Sequence, residues 1–199
     1  MTRAGAAMAL AAALALAAAP AVAQVPAVGT RILWQDMAAA LPGPTWTVTD
    51  AGPDGIAVAV TDAGSLRRME ITRGLFPTLA PDGAATAFDP ARLAALAPLE
   101  PGRVTTFDAV EEGPAGIARW FVHVAVAERR MEETPAGRFP VLAVEHHRRG
   151  TAADGRPAET LEEWAITPAV GLPVAIRAWR LADGRAILLH DRRALAVNP

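Results

Sequence analysis

The stretch 120-WFVHVAVAERRMEETPAGRFPVLAVEHH-147 decides the fold. Trp120, Val122, Val124 and Val126 recur at every second position with His123 on the opposite face, which is the period of a half-buried strand. Thr134-Pro135-Ala136-Gly137 then breaks the run, because proline cannot donate to a strand ladder and glycine accepts a sharp turn. A second apolar run, Phe139 to His147, follows at once. Two such runs around one short turn predict an antiparallel hairpin.

The same punctuation continues downstream. Ala153-Asp154-Gly155-Arg156 is a turn signal, Leu161 to Thr167 a strand, and Pro168 to Gly171 a break. Val174 to Leu181 and Arg185 to Arg192 flank Asp183-Gly184 as a last hairpin. Upstream, Trp46 to Thr49, Ile56 to Thr61, a segment with Leu66, Met69 and Ile71, and Val104 to Val110 read as further strands. Asp89-Pro90 predicts a helix start, since Asp caps free N–H groups and Pro suits the first helical position; Leu93, Leu96 and Ala97 give it an apolar face and Pro98 stops it. Ile32-Leu33-Trp34 with Met37 to Leu41 predicts a second short helix, ended by Pro42-Gly43-Pro44, and Arg73 to Thr86 reads as a loop. The expected fold is mainly β: an antiparallel meander forming a curved sheet or partly closed barrel, with one or two short helices.

Residues 1–23 are of another kind. Arg3 precedes an Ala/Leu/Met run from Ala6 to Ala19, and Ala21-Val22-Ala23 offers small residues before Gln24. This is the layout of a cleaved Sec-type signal peptide, too short to span a bilayer comfortably, and it predicts a periplasmic protein. Residues 24–199 then form a single β-rich domain with no later transmembrane span.

Composition closes several mechanisms. All 19 cations of the 199-residue chain are arginine, Tyr and Cys are absent, and Ser65 and Asn198 are the sole Ser and Asn. Schiff-base lysines, thiolate nucleophiles, Cys-ligated metals and disulfides are therefore excluded. A net charge of -2 lacks the basic surplus that nucleic-acid binding uses. No cofactor is expected.

A few side chains could carry chemistry. His123, Glu145, His147 and His190 are the candidate metal ligands, because imidazole and carboxylate suit a divalent ion. Neighbouring strand residues point to opposite faces, so His146 and His147 cannot easily share one ion, whereas Glu145 and His147 lie on one face. Ser65 stands outside any Gly-x-Ser-x-Gly elbow. The adjacent pairs Glu111-Glu112, Glu132-Glu133 and Glu162-Glu163 split across a strand and read as solvated edge charges. The arginine doublets Arg67-Arg68, Arg129-Arg130, Arg148-Arg149 and Arg192-Arg193, each near acids, read the same way. Trp164 and Trp179, with Arg177 beside the latter, are the candidate ligand-binding residues: aromatic groups on a concave sheet take apolar or carbohydrate ligands, and packing in the core is the other use of such rings.

Thr134-Pro135-Ala136-Gly137-Arg138-Phe139, Trp164 with Pro168, Leu172-Pro173-Val174 and Asp183-Gly184-Arg185 together form a wider pattern. Over residues 133–195 it resembles a domain-of-unknown-function group of exported β-sheet proteins of Gram-negative bacteria. The resemblance implies an envelope address and a shape similar to the curved-sheet lipoprotein carriers; it implies no catalytic residues. The resulting expectation is an exported, non-catalytic β-domain that binds a lipid or other apolar ligand, or an envelope partner, in a concave sheet. The alternative is an interaction module without a small-molecule pocket that docks through an exposed strand edge. A third reading is a metal-dependent hydrolase built on the histidines.

Overall fold

The computed structural model describes residues 25–73 and 75–199, so the expected signal peptide at 1–23 lies outside the described residues. Twelve strands follow in order: β1 (Arg31–Asp36), β2 (Leu41–Ala51), β3 (Gly55–Asp62), β4 (Ser65–Thr72), β5 (Phe76–Leu79), β6 (Ala85–Ala87), β7 (Val104–Gly113), β8 (Gly116–Thr134), β9 (Gly137–Thr151), β10 (Pro157–Thr167), β11 (Leu172–Ala182) and β12 (Arg185–Asn198). Each pairs antiparallel with its sequence neighbours, and β12 returns to pair with β1, Arg31 opposite Asn198. The meander is thus a closed barrel. Closure leaves neither the first nor the last strand with a free edge, the liability that open sheets must protect.

The expected hairpin is formed by β8 and β9. β8 ends at Thr134, β9 begins at Gly137, and Gly137 sits at φ 129°, a conformation that a side chain would strain. Val122, Val124 and Val126 are buried and His123 lies on the opposite face, as alternation requires.

Two local expectations are corrected. Residues 32–41 form no helix: Ile32, Leu33 and Trp34 belong to β1, Met37–Ala40 form a turn, and Leu41 opens β2. Pairing to β12 and β2 outweighs the helix preference of an Ala/Met/Leu segment, because it buries Ile32 and Trp34 completely. Gly43 permits this, since a Cβ there would stand 3.2 Å from the Trp34 Cβ. The expected loop 73–86 contains β5 and β6, two short strands that carry the wall from β4 to β7. The helix expected after Asp89 is a 3-10 helix, Pro90–Leu96, with the Asp89 carboxylate accepting from the Ala91 N–H at 3.0 Å.

The turns β1–β2, β3–β4, β5–β6, β7–β8, β9–β10 and β11–β12 share one end of the barrel. The opposite end is plugged. The 88–103 connection drives Leu93 and Leu96 of the 3-10 helix into the core, above Phe76, Phe88 and Phe107, whose rings lie 4.6–5.4 Å apart. His146 extends that cluster and is fully buried: its Nε2–H donates to the Leu75 carbonyl oxygen at 2.6 Å, and its ring lies edge-on to Phe76 and Trp164. Burial pushes its pKa down to about 4, which keeps the ring neutral.

The β8–β9 hairpin runs past the sheet and folds back over the outer face of β10, β11 and β12, giving β8 contacts to β11 and β12, which it does not neighbour in the barrel. The turn residue Ala136 donates its N–H to the Ala194 carbonyl at 2.9 Å. Beneath this arm runs a cross-strand row of small residues, Ala143, Ala165 and Ala175, all buried although they face outward.

Candidate functional site

Inside the unplugged end lies a cavity of about 430 Å³. Its floor is apolar: Trp46 from β2, Val60 from β3, Met69 from β4, Trp164 from β10 and Ile176 from β11. Each is an inward residue of its strand, and Trp164 stands directly opposite Ile176. The Trp46 ring is fixed by an edge contact with Trp34, 4.9 Å between centroids. Trp164 is both core and floor, with only 2% of its surface exposed and no acceptor for its indole Nε1–H among the described residues.

Charged side chains ring this floor; most come from the doublets, and Asp62 and Asp82 stand beside them. Within the barrel wall, a period of two puts one member of an adjacent pair on the inner face and the other on the outer face. Arg67, Arg148 and Arg192 line the cavity, as do Glu111 and Glu162, while Arg68, Arg149, Arg193 and Glu163 lie on the outer face. Arg148 is already engaged, with its Nη1 donating to Glu111 at 3.2 Å and its guanidinium 4.8 Å from the Phe76 ring centroid. Asp82 accepts from the Ala84 N–H in the β5–β6 turn. His190 also faces the cavity, and its pKa is lowered by burial and then by the Arg192 charge, so the ring is neutral at pH 7.

The sequence candidates therefore divide. Trp164 lines the cavity; Trp179 and Arg177 do not. Trp179 falls on the outer face between Leu161 and Leu188, and Arg177 belongs to an ion-pair network beneath the arm. His123, Glu145 and His147 stand on the outer face, with His123 directly across from His147, whereas His190 is inside the barrel. His147 Nε2 is engaged with Glu159 Oε1 at 2.6 Å. Among the described residues no three His, Asp or Glu side chains are grouped so as to hold a metal ion.

Reading the doublets as solvated faces missed Arg192, Arg148 and Glu162. The signal was present: two like charges in succession within a strand point to opposite faces of the sheet, so in a closed barrel one of them is on the inner side.

No family model and no curated relative matches the sequence. Solved structures match the fold. A Bacteroides fragilis protein inferred to be exported, with a YmcC-like fold, is 14% identical at a TM-score of 0.52, over 88% of this chain and 98% of that one. The hypothetical lipoprotein YmcC of Escherichia coli is 10% identical at a TM-score of 0.51, over 85% of each chain. An inferred lipoprotein of Parabacteroides distasonis is 10% identical at a TM-score of 0.50, over 87% of this chain and 97% of that one. The barrel is thus shared with proteins of Gram-negative bacteria described as exported or as lipoproteins, in line with the group that the 133–195 pattern resembles.

Proposed function

We propose that the protein is an exported, non-catalytic binder that receives an apolar ligand in the open end of its barrel. The observation that carries this is the cavity: about 430 Å³, floored by two indoles and three aliphatic side chains, at one end of a barrel plugged at the other. Sites for small ligands have this size and this mixture of apolar lining with a few placed polar groups. The layout of residues 1–23 and the exported or lipoprotein character of the fold neighbours support the envelope address. Among the described residues no helix is long and apolar enough to cross a membrane.

The test is native mass spectrometry of residues 24–199 purified from the periplasm without detergent, followed by organic extraction. The expected result is a stoichiometric apolar adduct. A bare chain mass, together with unchanged tryptophan fluorescence on adding dodecanol or dodecanoate, would overturn the reading. An interaction module would then be favoured by Leu41, Leu66, Ile117 and Leu189, which are exposed on hairpins around the same opening.

A further inference from the structure

Five arginines of the described chain are half-buried: Arg130, Arg148, Arg177, Arg192 and Arg193. Four of them are bonded to carboxylates. Arg130 and Arg177 share Glu132 and Glu163, Arg148 meets Glu111, and Arg193 meets Asp191. Arg192 makes no such bond among the described residues, although it lines the cavity.

The reason is local. The residue directly across from Arg192 on β1 is Asp36, the natural partner for a cross-strand ion pair. The Asp36 carboxylate is instead turned to the β1–β2 turn, where Oδ1 accepts from the N–H groups of Ala38 and Ala39 at 2.9 and 3.1 Å. On the other side Arg192 faces Ile176, which is part of the apolar floor. A planar guanidinium with all its donors available thus stands where the floor of indoles and aliphatics meets the polar rim. Planar, forked donors of this kind bind carboxylate and phosphate groups better than any other side chain.

We infer that the ligand is an amphiphile whose polar end is an oxyanion, a carboxylate or a phosphate monoester, held by Arg192 while its alkyl part lies over Trp46, Met69 and Trp164. This rests on the proposal that the cavity binds an apolar ligand. The neutral imidazole of His190, on the same inner face of β12, can add one hydrogen bond without adding charge. Glu162, two residues from Trp164 on the same inner face of β10 and nearer the mouth, disfavours a head group that carries more than one anionic group.

Isothermal titration with dodecanoate, dodecyl phosphate, dodecanol, dodecyltrimethylammonium and inorganic phosphate, on wild-type protein and Arg192→Gln, tests this. At least one of the two anionic amphiphiles should bind at least about tenfold more tightly than dodecanol, the value of a charge-assisted fork. Arg192→Gln should erase that margin and change dodecanol binding by less than about twofold, since no apolar contact is removed. Arg192→Lys, which keeps the charge and loses the fork, should retain part of it. The stronger of the two anions identifies a fatty-acid or a phospholipid-like source. Binding of dodecanol as tight as that of both anionic amphiphiles, or a preference for the cation, would overturn the oxyanion while leaving the apolar cavity standing. Inorganic phosphate binding as tightly as dodecyl phosphate would retain the anion site and overturn the apolar ligand. Silence from every amphiphile would overturn both.

Discussion

The two faces of β10, β11 and β12 are made from the same residue types and behave differently. On the outer face Arg130, Glu132, Glu163, Arg177, Asp191 and Arg193 form one connected network: Arg177 meets Glu163 at 2.7 Å and Asp191 at 3.6 Å and also pairs with Glu132, Arg130 meets Glu163 at 2.6 Å, and Arg193 meets Asp191 at 3.1 Å. On the inner face Glu162, His190 and Arg192 face a cavity and are bonded to no other side chain among the described residues. The outer network is covered by the arm, to which it also binds: Arg193 donates to the Glu133 carbonyl at 3.2 Å. Neighbouring guanidinium and carboxylate charges hold the Arg130 and Arg177 pKa values above the usual arginine range, and hold Glu163 below the usual carboxylate range against the opposing effect of burial. Where every charge has a partner the cluster is architecture; where partners are missing the chain is prepared for something outside itself.

The largest way to break this contrast is to remove a cation from the saturated side. Arg177→Met leaves Arg130 facing Glu128, Glu132 and Glu163 alone, and Glu132 is only 5% exposed. Stability should fall by about 3–5 kcal/mol, read by urea denaturation, as expected when one partner of a buried pair is lost. A loss below about 1 kcal/mol would mean that the outer network is ornamental and the contrast is empty.

Acid separates the two regions by pH. His146, beneath the cavity, has a folded pKa of about 4 against an ordinary 6.5. Between those values the unfolded chain takes up the proton and the folded chain does not, so stability declines as pH falls through that window, by about 3 kcal/mol in total. Glu163 on the outer face acts further down: its depressed pKa adds stability above about 4.5 that disappears on further acidification. Stability curves of wild type and His146→Phe should therefore diverge from pH 6.5 downward. Parallel curves would show that the buried ring titrates normally.

The smallest effect is the sharpest. Arg192→Gln should alter stability by less than about 0.5 kcal/mol, because no protein carboxylate loses its partner. A loss near that of Arg177→Met would place Arg192 in the framework instead of the ligand site.

Much of the fold was legible because hairpins are written locally. Asp183-Gly184, Asp154-Gly155 and Pro135-Ala136-Gly137 each mark a turn that the structure contains, and the alternation of valines in β8 set His123 on the face opposite them, as the structure has it. Residues 32–41 were not legible, since what makes them strands is pairing with β12 at the far end of the chain, which no local window contains. The cavity was only half legible. Trp164 could be singled out by residue type, but its companions come also from β2, β3 and β4, which only barrel closure brings near it, and the adjacency of Trp164 to Arg192 through Ile176 depends on the register of two successive hairpins.

Closure by β1 and β12 has a consequence for how the chain reaches this state. Asn198 lies opposite Arg31, so the seam joins the two most distant parts of the described sequence. Contacts of such long range form late, after the cost of gathering the intervening chain has been met. Until the last strand arrives, β1 keeps an open side and Trp34 a bare flank, a template for pairing with another molecule. The same proximity of ends means that a short linker from residue 198 to residue 31 would preserve every strand pairing. New termini could then be opened at Ala63-Gly64, an exposed tight turn, moving the seam around the wall without changing the order of strands.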